Sequence, residues 1–247
     1  MDNLLLKGYV TPEDFGGDVQ EALNQAEALD IRKVLLRGNY SCGVLVIPAY
    51  THMVIEGTVK ADLRSKKICN YAFEQDRFYI NGGGKVVGDL YFYNTRRAIV
   101  EDLTVEGNVT YEYSRDMRME HCTVTGAVKV GRGCANSIFQ YLTVGSFRMD
   151  NNVFCGDIVP AKEPEIKNIV LRDSVMTDGA VTLLASEECG MFNIQADHIT
   201  APQTAVVIGT PDAAVAKERY FNLTVTDLTA PEKLQQHNET KHMYLKV

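Results

Sequence analysis

Four glycines recur at a constant step of 19 residues, and this period constrains the fold more than any other feature of the chain. They are Gly88, Gly107, Gly126 and Gly145. Apolar columns keep the same or nearly the same step around them: Val86, Val105, Val124 and Val144; Leu90, Val109, Val128 and Phe147; Ile80, Val100, Met119 and Phe139. Within each unit apolar and polar residues alternate, which is the period of a β-strand.

A unit of about 19 to 26 residues that contains only strands and turns must stack on its neighbours to bury its apolar face. We therefore predict an all-β fold, a single-stranded right-handed parallel β-helix in which each repeat forms one coil. Leucine-rich repeats have a similar period, but they need an L-x-x-L-x-L pattern with an Asn at a fixed place, and this pattern is absent. The repeating unit of a β-propeller is about twice as long. A β-sandwich with evenly spaced strands is the remaining alternative, but it does not predict columns of similar side chains.

The apolar columns persist without a linker over residues 31–228, which predicts a single β-helix domain over 1–247. Residues 11–30 are expected to form an N-terminal cap, because they contain an amphipathic helix with Asp18 as its N-cap. Such a helix would cover the open apolar end of the first coil. Residues 229–247 are polar and are expected to form an irregular C-terminal tail or cap.

Beyond the first four coils, the columns are expected to continue with insertions. Leu171, Ile194 and Tyr220 would extend the column of Phe139. Met176, Ile199 and Val225 would extend the column of Val144.

The N-terminal third also carries a sequence resemblance. Asp14-Phe15-Gly16 precedes the helix, and Arg37-Gly38-Asn39-Tyr40, Leu45-Val46-Ile47-Pro48 and Ile55-Glu56-Gly57 follow it. This order resembles the opening of the pectate-lyase-like superfamily of right-handed β-helix proteins, although one Pro and a longer Gly-Asp-Gly run are absent. The resemblance implies the β-helix fold and, most commonly, action on acidic polysaccharides.

The motifs that polygalacturonase-like hydrolases of this superfamily use are absent. Hydrolysis needs two carboxylates about 5 to 9.5 Å apart. The place of the Gly-Asp-Asp motif holds Gly107-Asn108, Gly126-Ala127 and Gly145-Ser146, and only Asp178-Gly179 keeps an acid. A hydrolase is therefore disfavoured, and β-elimination is the favoured reaction if the protein is an enzyme, which the sequence leaves open.

A lyase needs a cation that neutralises a uronate carboxylate and a base that removes the neighbouring proton. Extending the period places Lys129 and Arg148 at outward positions of adjacent coils, about 4.8 Å apart. The predicted catalytic candidates are Lys129, Arg148, Glu112 and Asp150. Tyr91, Tyr111 or Glu112 would assist proton transfer, with Tyr111 the weaker candidate because its column points inward. The predicted substrate-binding residues are Tyr91, Tyr93 and Asn151. No cofactor or metal is predicted; Ca²⁺ could replace the basic pair, but the sequence has no specific ligand cluster for it.

The alternative is a non-catalytic β-helix that binds carbohydrate, acts as an adhesin-like or phage-tail-like module, or serves as an oligomeric scaffold. On this view the basic pair forms ordinary ion pairs on a solvated face. The chain contains no Trp, the usual platform for stacking sugars, which favours this alternative. The insertion after Asp150, containing Pro160 and Pro164, would either form a wall of the groove or project from it.

Two histidines have different expected surroundings. His121 falls at a turn column with Asp102, Tyr141, Asp173 and Asn222, where a role in turn structure is expected. Asp197 aligns with the inward columns, and His198 would point outward beside it as an isolated surface residue.

The composition of the chain limits which kinds of binding partner are expected. The net charge is −7 without a basic stripe, so nucleic acid is not an expected partner. Apolar runs of about four residues are far below the roughly 18 that a membrane helix needs. The expected partner is carbohydrate, and a homo-oligomer is left open.

The six cysteines contain no C-x-x-C pair, so buried reduced thiols are expected. The N-terminus lacks signal-peptide features, so the location is either cytoplasmic or secreted after loss of a leader.

Overall fold

The computed structural model describes residues 7–65, 75–151, 163–186, 189–210, 219–238 and 240–246. A 3₁₀ turn, Pro12–Phe15, precedes one helix, α1, Val19–Ala28. In chain order the described strands are β1 Lys33–Leu36, β2 Asn39–Ile47, β3 His52–Ile55, β4 Thr58–Ser65, β5 Gln75–Asn81, β6 Lys85–Val87, β7 Leu90–Tyr93, β8 Thr95–Glu101, β9 Thr104–Glu106, β10 Val109–Glu112, β11 Arg118–Glu120, β12 Thr123–Val130, β13 Ala135–Gln140, β14 Thr143–Asp150, β15 Ile166–Met176, β16 Val181–Leu184, β17 Met191–Thr200, β18 Thr204–Ile208, β19 Tyr220–Thr226, β20 Glu232–Gln236 and β21 Lys241–Lys246. No helix of the described residues is long and apolar enough to span a membrane.

The helix α1 forms where the amphipathic pattern predicts it. The side chain of Asp18 accepts a hydrogen bond from the backbone N–H of Glu21 at 3.0 Å, which caps its first turn. Val19, Leu23 and Ala26 are buried on the face that packs against the first strands, β1 and β2. The helix therefore covers apolar surface at the start of the solenoid.

The strands pair in parallel, each with the strand one coil further along the chain, and this confirms the predicted parallel β-helix. One inward column pairs in register from Leu90 through Val109 and Val128 to Phe147. A second column pairs Val86, Val105, Val124 and Val144, and a third pairs Ile80, Val100, Met119 and Phe139. These side chains are buried, so the hydrophobic core runs along the axis of the coils.

The glycine column has a steric cause. A Cβ atom added to Gly107 would lie 2.2 Å from the carbonyl oxygen of Gly88, one coil earlier. At Gly126 and Gly145 the corresponding distances to the preceding coil are both 2.6 Å. The backbones of successive coils approach each other too closely here for any side chain, which explains why this position repeats as glycine.

The predicted columns hold on the first coil after the insertion, where Leu171 pairs with Phe139 and Met176 pairs with Val144. On the next coil Leu171 pairs with Ala196 instead of Ile194, a slip of two residues, and Ala196 pairs with Val225 instead of Tyr220, a slip of five. Inward positions recur at every second residue, so a slip of two leaves the same kind of side chain facing the core. The apolar pattern alone cannot detect such a slip.

Asp197 is also placed differently from its predicted inward position. It lies on the outer face, where it pairs with Arg172 on one side and Thr226 on the other. The inward position beside it is taken by Ala196, which is fully buried. The outward position gives this carboxylate polar neighbours and removes the expected cost of burying it.

The polar C-terminal segment contains two strands instead of an irregular tail. β20 pairs with β18 and β21 pairs with β19, which adds a further turn of the solenoid after residue 228. Backbone hydrogen bonds make this pairing, so it does not require apolar side chains, and most side chains of β21 are exposed.

Four of the six cysteines lie in the described part of the chain and are free thiols. Cys122, Cys134 and Cys189 are buried and Cys42 is half-buried, in keeping with the prediction. Cys69 and Cys155 lie outside the described residues.

Candidate functional site

The predicted site residues come together on consecutive strands of one sheet. β7, β10, β12 and β14 pair in that order, and the outward residues Tyr91, Thr110, Lys129 and Arg148 follow one another in register. The next outward position along these strands holds Tyr93 and Glu112, which are cross-strand partners. We call the set Tyr91, Tyr93, Glu112, Lys129, Arg148, Asp150 and Asn151 the basic-pair face.

Lys129 and Arg148 are direct cross-strand neighbours, as the 19-residue period predicts. The side chain of Arg148 is 45% exposed, whereas that of Asp150 is 1% exposed. The Nε atom of Arg148 donates to Oδ2 of Asp150 at 3.0 Å, and Nη2 donates to the same oxygen. The buried carboxylate therefore orients the half-exposed guanidinium group of Arg148.

Tyr91 and Glu112 form the second polar pair of this face. The hydroxyl of Tyr91 donates to Oε2 of Glu112 at 2.6 Å, and the Glu112 side chain is completely buried. Tyr91 and Tyr93 have ring centroids 6.3 Å apart, and Tyr93 packs edge-on against Tyr113 at 6.0 Å. The aromatic rings and the carboxylate thus form one packed group beside the basic pair.

Asn151 has a structural contact. Its side chain is fully buried, and its Nδ2 donates to the carbonyl oxygen of Gly190 at 2.9 Å. This bond ties the end of β14 to the residue before β17, at a position three residues after Arg148. The insertion that was expected to form a wall of the groove falls mostly on residues 152–162, which lie outside the described residues.

Tyr111, a weaker candidate for proton transfer, points into the core. Its ring stacks on Phe92 at a centroid distance of 5.0 Å, and complete burial raises its pKa well above the ordinary value for tyrosine. A phenol in this position stays neutral and cannot contact a ligand on the sheet surface.

A second polar surface was not predicted from the sequence. On β8, β11, β13 and β15, outward residues Glu101, Glu120, Gln140 and Arg172 pair in register. Gln140 donates to Glu120 at 2.6 Å, and Arg172 donates to Gln140 at 2.7 Å. Arg118 pairs with both glutamates. The steps of 19 from Glu101 to Glu120 and of 20 from Glu120 to Gln140 were the available signal in the sequence. Ion pairs and side-chain hydrogen bonds already engage this group.

An asparagine ladder follows one corner of the coils. Asn168 donates to Asn136 at 2.8 Å, Asn193 donates to Asn168 at 2.8 Å, and Asn222 donates to Asn193 at 2.9 Å. A shallow depression of about 370 Å³ lies beside the ladder. The residues that line it carry no charge: Asn168, Val170, Asn193, Ile194, Gln195, Asn222 and Thr224.

A second corner repeats with positive φ angles close to 50°. Asp102, His121 and Tyr141 occupy it in successive coils, as predicted. The rings of His121 and Tyr141 stack at a centroid distance of 5.0 Å, and His121 Nδ1 lies 3.9 Å from Asp102 Oδ1. The corner continues with Asp173, as predicted, and then with His198 and Asp227. The predicted member Asn222 lies in the asparagine ladder instead.

Comparison with known proteins gives structural neighbours only. No protein-family model matches the chain, and no curated protein matches it. A mutant tailspike protein of E. coli bacteriophage HK620, in complex with a pentasaccharide, matches with a TM-score of 0.60 and 13% identity over 92% of this chain. A second mutant of that tailspike, in complex with a hexasaccharide, matches with a TM-score of 0.63 and 13% identity over 92% of this chain.

The present chain covers 52% of either tailspike chain, so it spans about half their length. At this level of identity the likeness shows a shared parallel β-helix fold.

Proposed function

We propose that this protein is a carbohydrate-binding β-helix protein that holds an acidic oligosaccharide against the basic-pair face. The observation that carries the proposal is the placement of Lys129 and Arg148 on adjacent strands, with the Arg148 guanidinium half exposed and oriented by Asp150. Arginine binds carboxylates through several N–H donors in a fixed plane, and a lysine beside it adds a second positive charge. The two tailspike structures of similar fold are complexes with oligosaccharides, which supports a sugar as the ligand.

The local charge favours a sugar chain with scattered carboxylates over a dense polyanion. Glu112 and Asp150 offset the formal charges of Lys129 and Arg148, and the whole chain carries a net charge of −7. A strongly sulfated polymer would meet long-range repulsion from such a protein. A chain with one carboxylate per residue or fewer can place one group between the two cations without this penalty.

A more specific version of this proposal is that the protein also cleaves the bound oligosaccharide by β-elimination. Lys129 and Arg148 would neutralise the carboxylate, a base would take the proton from the carbon beside it, the bond to the leaving oxygen would break, and a carbon–carbon double bond would form. The Tyr91 hydroxyl, bonded to Glu112, is the group best placed to exchange protons. It lies two strands from Lys129, or about 10 Å along the sheet.

The burial of the two carboxylates favours a protein that binds the oligosaccharide without cleaving it. Glu112 and Asp150 have exposed fractions of 0% and 1%, so neither carboxylate reaches the surface as a free base. Each is instead bonded to a residue of the same face. The protein then serves as a recognition module, and a homo-oligomeric form of it stays a prediction.

The test is a binding and cleavage assay with oligosaccharides from pectin, alginate and glycosaminoglycans, with and without Ca²⁺. Calorimetry gives Kd, and ultraviolet absorption of the unsaturated product follows cleavage. We expect the double variant Lys129→Ala/Arg148→Ala to bind at least about 10-fold more weakly, because it loses the charged donors of the site.

The matched control is Lys60→Ala/Lys233→Ala, which removes the same charge from exposed positions on other strands. It should bind like the parent protein. Binding that is absent for every sugar, or reduced equally in both double variants, would rule out the basic-pair face as the site. Binding without any unsaturated product would retain the site and reject the lyase step.

A further inference from the structure

His198 lies among three carboxylates at the second corner of the coils. Asp173, His198 and Asp227 occupy equivalent corner positions in three successive coils, with φ angles of 50°, 49° and 50°. Asp197 precedes His198 on the same coil. The sequence predicts Asn222 at this corner, five residues before Asp227, so the cluster does not show in the sequence columns.

The donor atoms of this cluster converge on one imidazole. His198 Nδ1 lies 3.1 Å from Asp197 Oδ2 and 3.9 Å from Asp173 Oδ1, and Nε2 lies 3.8 Å from Asp227 Oδ2. One ligand atom from each of Asp197, His198 and Asp227 lies within 4.8 Å of the other two. Within the described residues this is the group of three such donors that approaches a metal-binding spacing.

Side-chain rotations are needed to bring the three ligand atoms around one ion, because Asp197 faces Nδ1 of His198 and Asp227 faces Nε2. Nitrogen and oxygen ligands at about 2.0–2.2 Å from a tetrahedral zinc ion lie roughly 3.4 Å from one another. The side chains of His198 and Asp227 are 58% and 42% exposed, so they can rotate without disturbing the core. The more enclosed Asp197 is held by the Thr226 hydroxyl, which donates to Oδ1.

Two basic side chains also lie beside the carboxylates of this cluster. Lys246 Nζ lies 3.7 Å from Asp227 Oδ1, and Arg172 Nε lies 3.9 Å from Asp173 Oδ2. Their side chains are 65% and 45% exposed and can turn into solvent when a metal ion enters.

We propose that Asp197, His198 and Asp227 form a binding site for a divalent transition-metal ion of the zinc class, with Asp173 as an outer carboxylate. An imidazole combined with carboxylates is a donor set that zinc, cobalt and nickel accept, whereas calcium and magnesium take oxygen ligands alone. The ligands come from two successive coils, so the ion links the coil of β17 to that of β19 and stabilises the C-terminal end of the solenoid. This site is independent of the basic-pair face and of any carbohydrate.

The experiment measures binding of Zn²⁺ and Co²⁺ to the full chain by calorimetry and by the visible spectrum of the cobalt form. Thermal unfolding with and without Zn²⁺ gives a second readout, and Ca²⁺ serves as the oxygen-preferring comparison. We expect one equivalent of Zn²⁺ to bind, and an excess of 100 times Kd to raise Tm by about 5–10 °C. The variants His198→Ala and Asp227→Asn should bind at least about 10-fold more weakly.

His121→Ala is the matched control, because His121 occupies the same corner two coils earlier than Asp173 but has only Asp102 as a carboxylate neighbour in the described ion pairs. It should bind zinc like the parent protein. Failure to bind zinc, tighter binding of Ca²⁺ than of Zn²⁺, or equal losses in His198→Ala and His121→Ala would each overturn the proposal. Circular dichroism of each variant excludes unfolding as the cause of a loss.

Discussion

Replacement of Gly107 by alanine tests the physical origin of the 19-residue period. The new Cβ atom would lie 2.2 Å from the carbonyl oxygen of Gly88, whereas ordinary contacts begin at 3.4 Å. The two backbones must therefore separate by about 1.2 Å, since a carbonyl group in a β-coil has no rotamer to change. The side chain of Asp89, 2.7 Å away, must move as well.

The cost follows from the contacts that such a shift disturbs. The bond from Gly88 N to Glu106 O, 3.1 Å, and the bond from Gly126 N to Gly107 O, 2.9 Å, both join coils at this point. Overpacking of a rigid site costs about 1–3 kcal/mol, and a weakened hydrogen bond adds about 1 kcal/mol. Alanine recovers about 0.4–1 kcal/mol by restricting the unfolded chain. We expect a net loss of about 2 kcal/mol, or roughly 4–8 °C in Tm.

Thermal and urea unfolding, followed by circular dichroism, measure this loss. Gly43→Ala is the matched control, because a Cβ atom there meets nothing within 4 Å. It should change the stability by less than about 0.5 kcal/mol. Equal unfolding midpoints for Gly107→Ala and Gly43→Ala would refute the close approach of backbones as the reason for the repeated glycine.

Two further predictions concern the asparagine ladder and the thiols. Asn193→Ala removes the bonds to Asn168 and Asn222, and we expect the free energy of unfolding to fall by about 1 kcal/mol; an unchanged midpoint in urea would show that the ladder adds no stability. Burial raises the pKa of Cys122 to about 12, so almost no reactive thiolate forms at mildly alkaline pH. Peptide-mapped alkylation of the folded protein should label the half-buried Cys42 before Cys122, and equal rates would contradict this.

The sequence predicts the first half of the coils well because their length is nearly constant. A step of 19 residues brings Leu90, Val109 and Val128 into one column, and parallel pairing then fixes every outward neighbour. For this reason the contact of Lys129 with Arg148 could be predicted from residue numbers alone.

The remainder of the site could not be predicted for two reasons. An outward position in the repeat shows only that a side chain points away from the core. It does not show that Tyr91 bonds to Glu112 or that Arg148 bonds to Asp150, nor that both carboxylates are buried. On the coil of β17 the coil length changes again, and a slip of two residues still places apolar side chains inward. The surroundings of His198 depend on that register, and the sequence alone therefore placed it as an isolated residue.

The most direct test of the carbohydrate-binding proposal is an NMR titration of the isotope-labelled protein with an acidic oligosaccharide selected by the binding assay. Backbone amide shifts locate the ligand without any mutation. We predict that the largest changes fall on Thr110, Lys129 and Arg148, with smaller changes along the same strands. Shifts centred on the Asn193 depression, or no shifts at saturating sugar, would contradict the basic-pair face as the binding site.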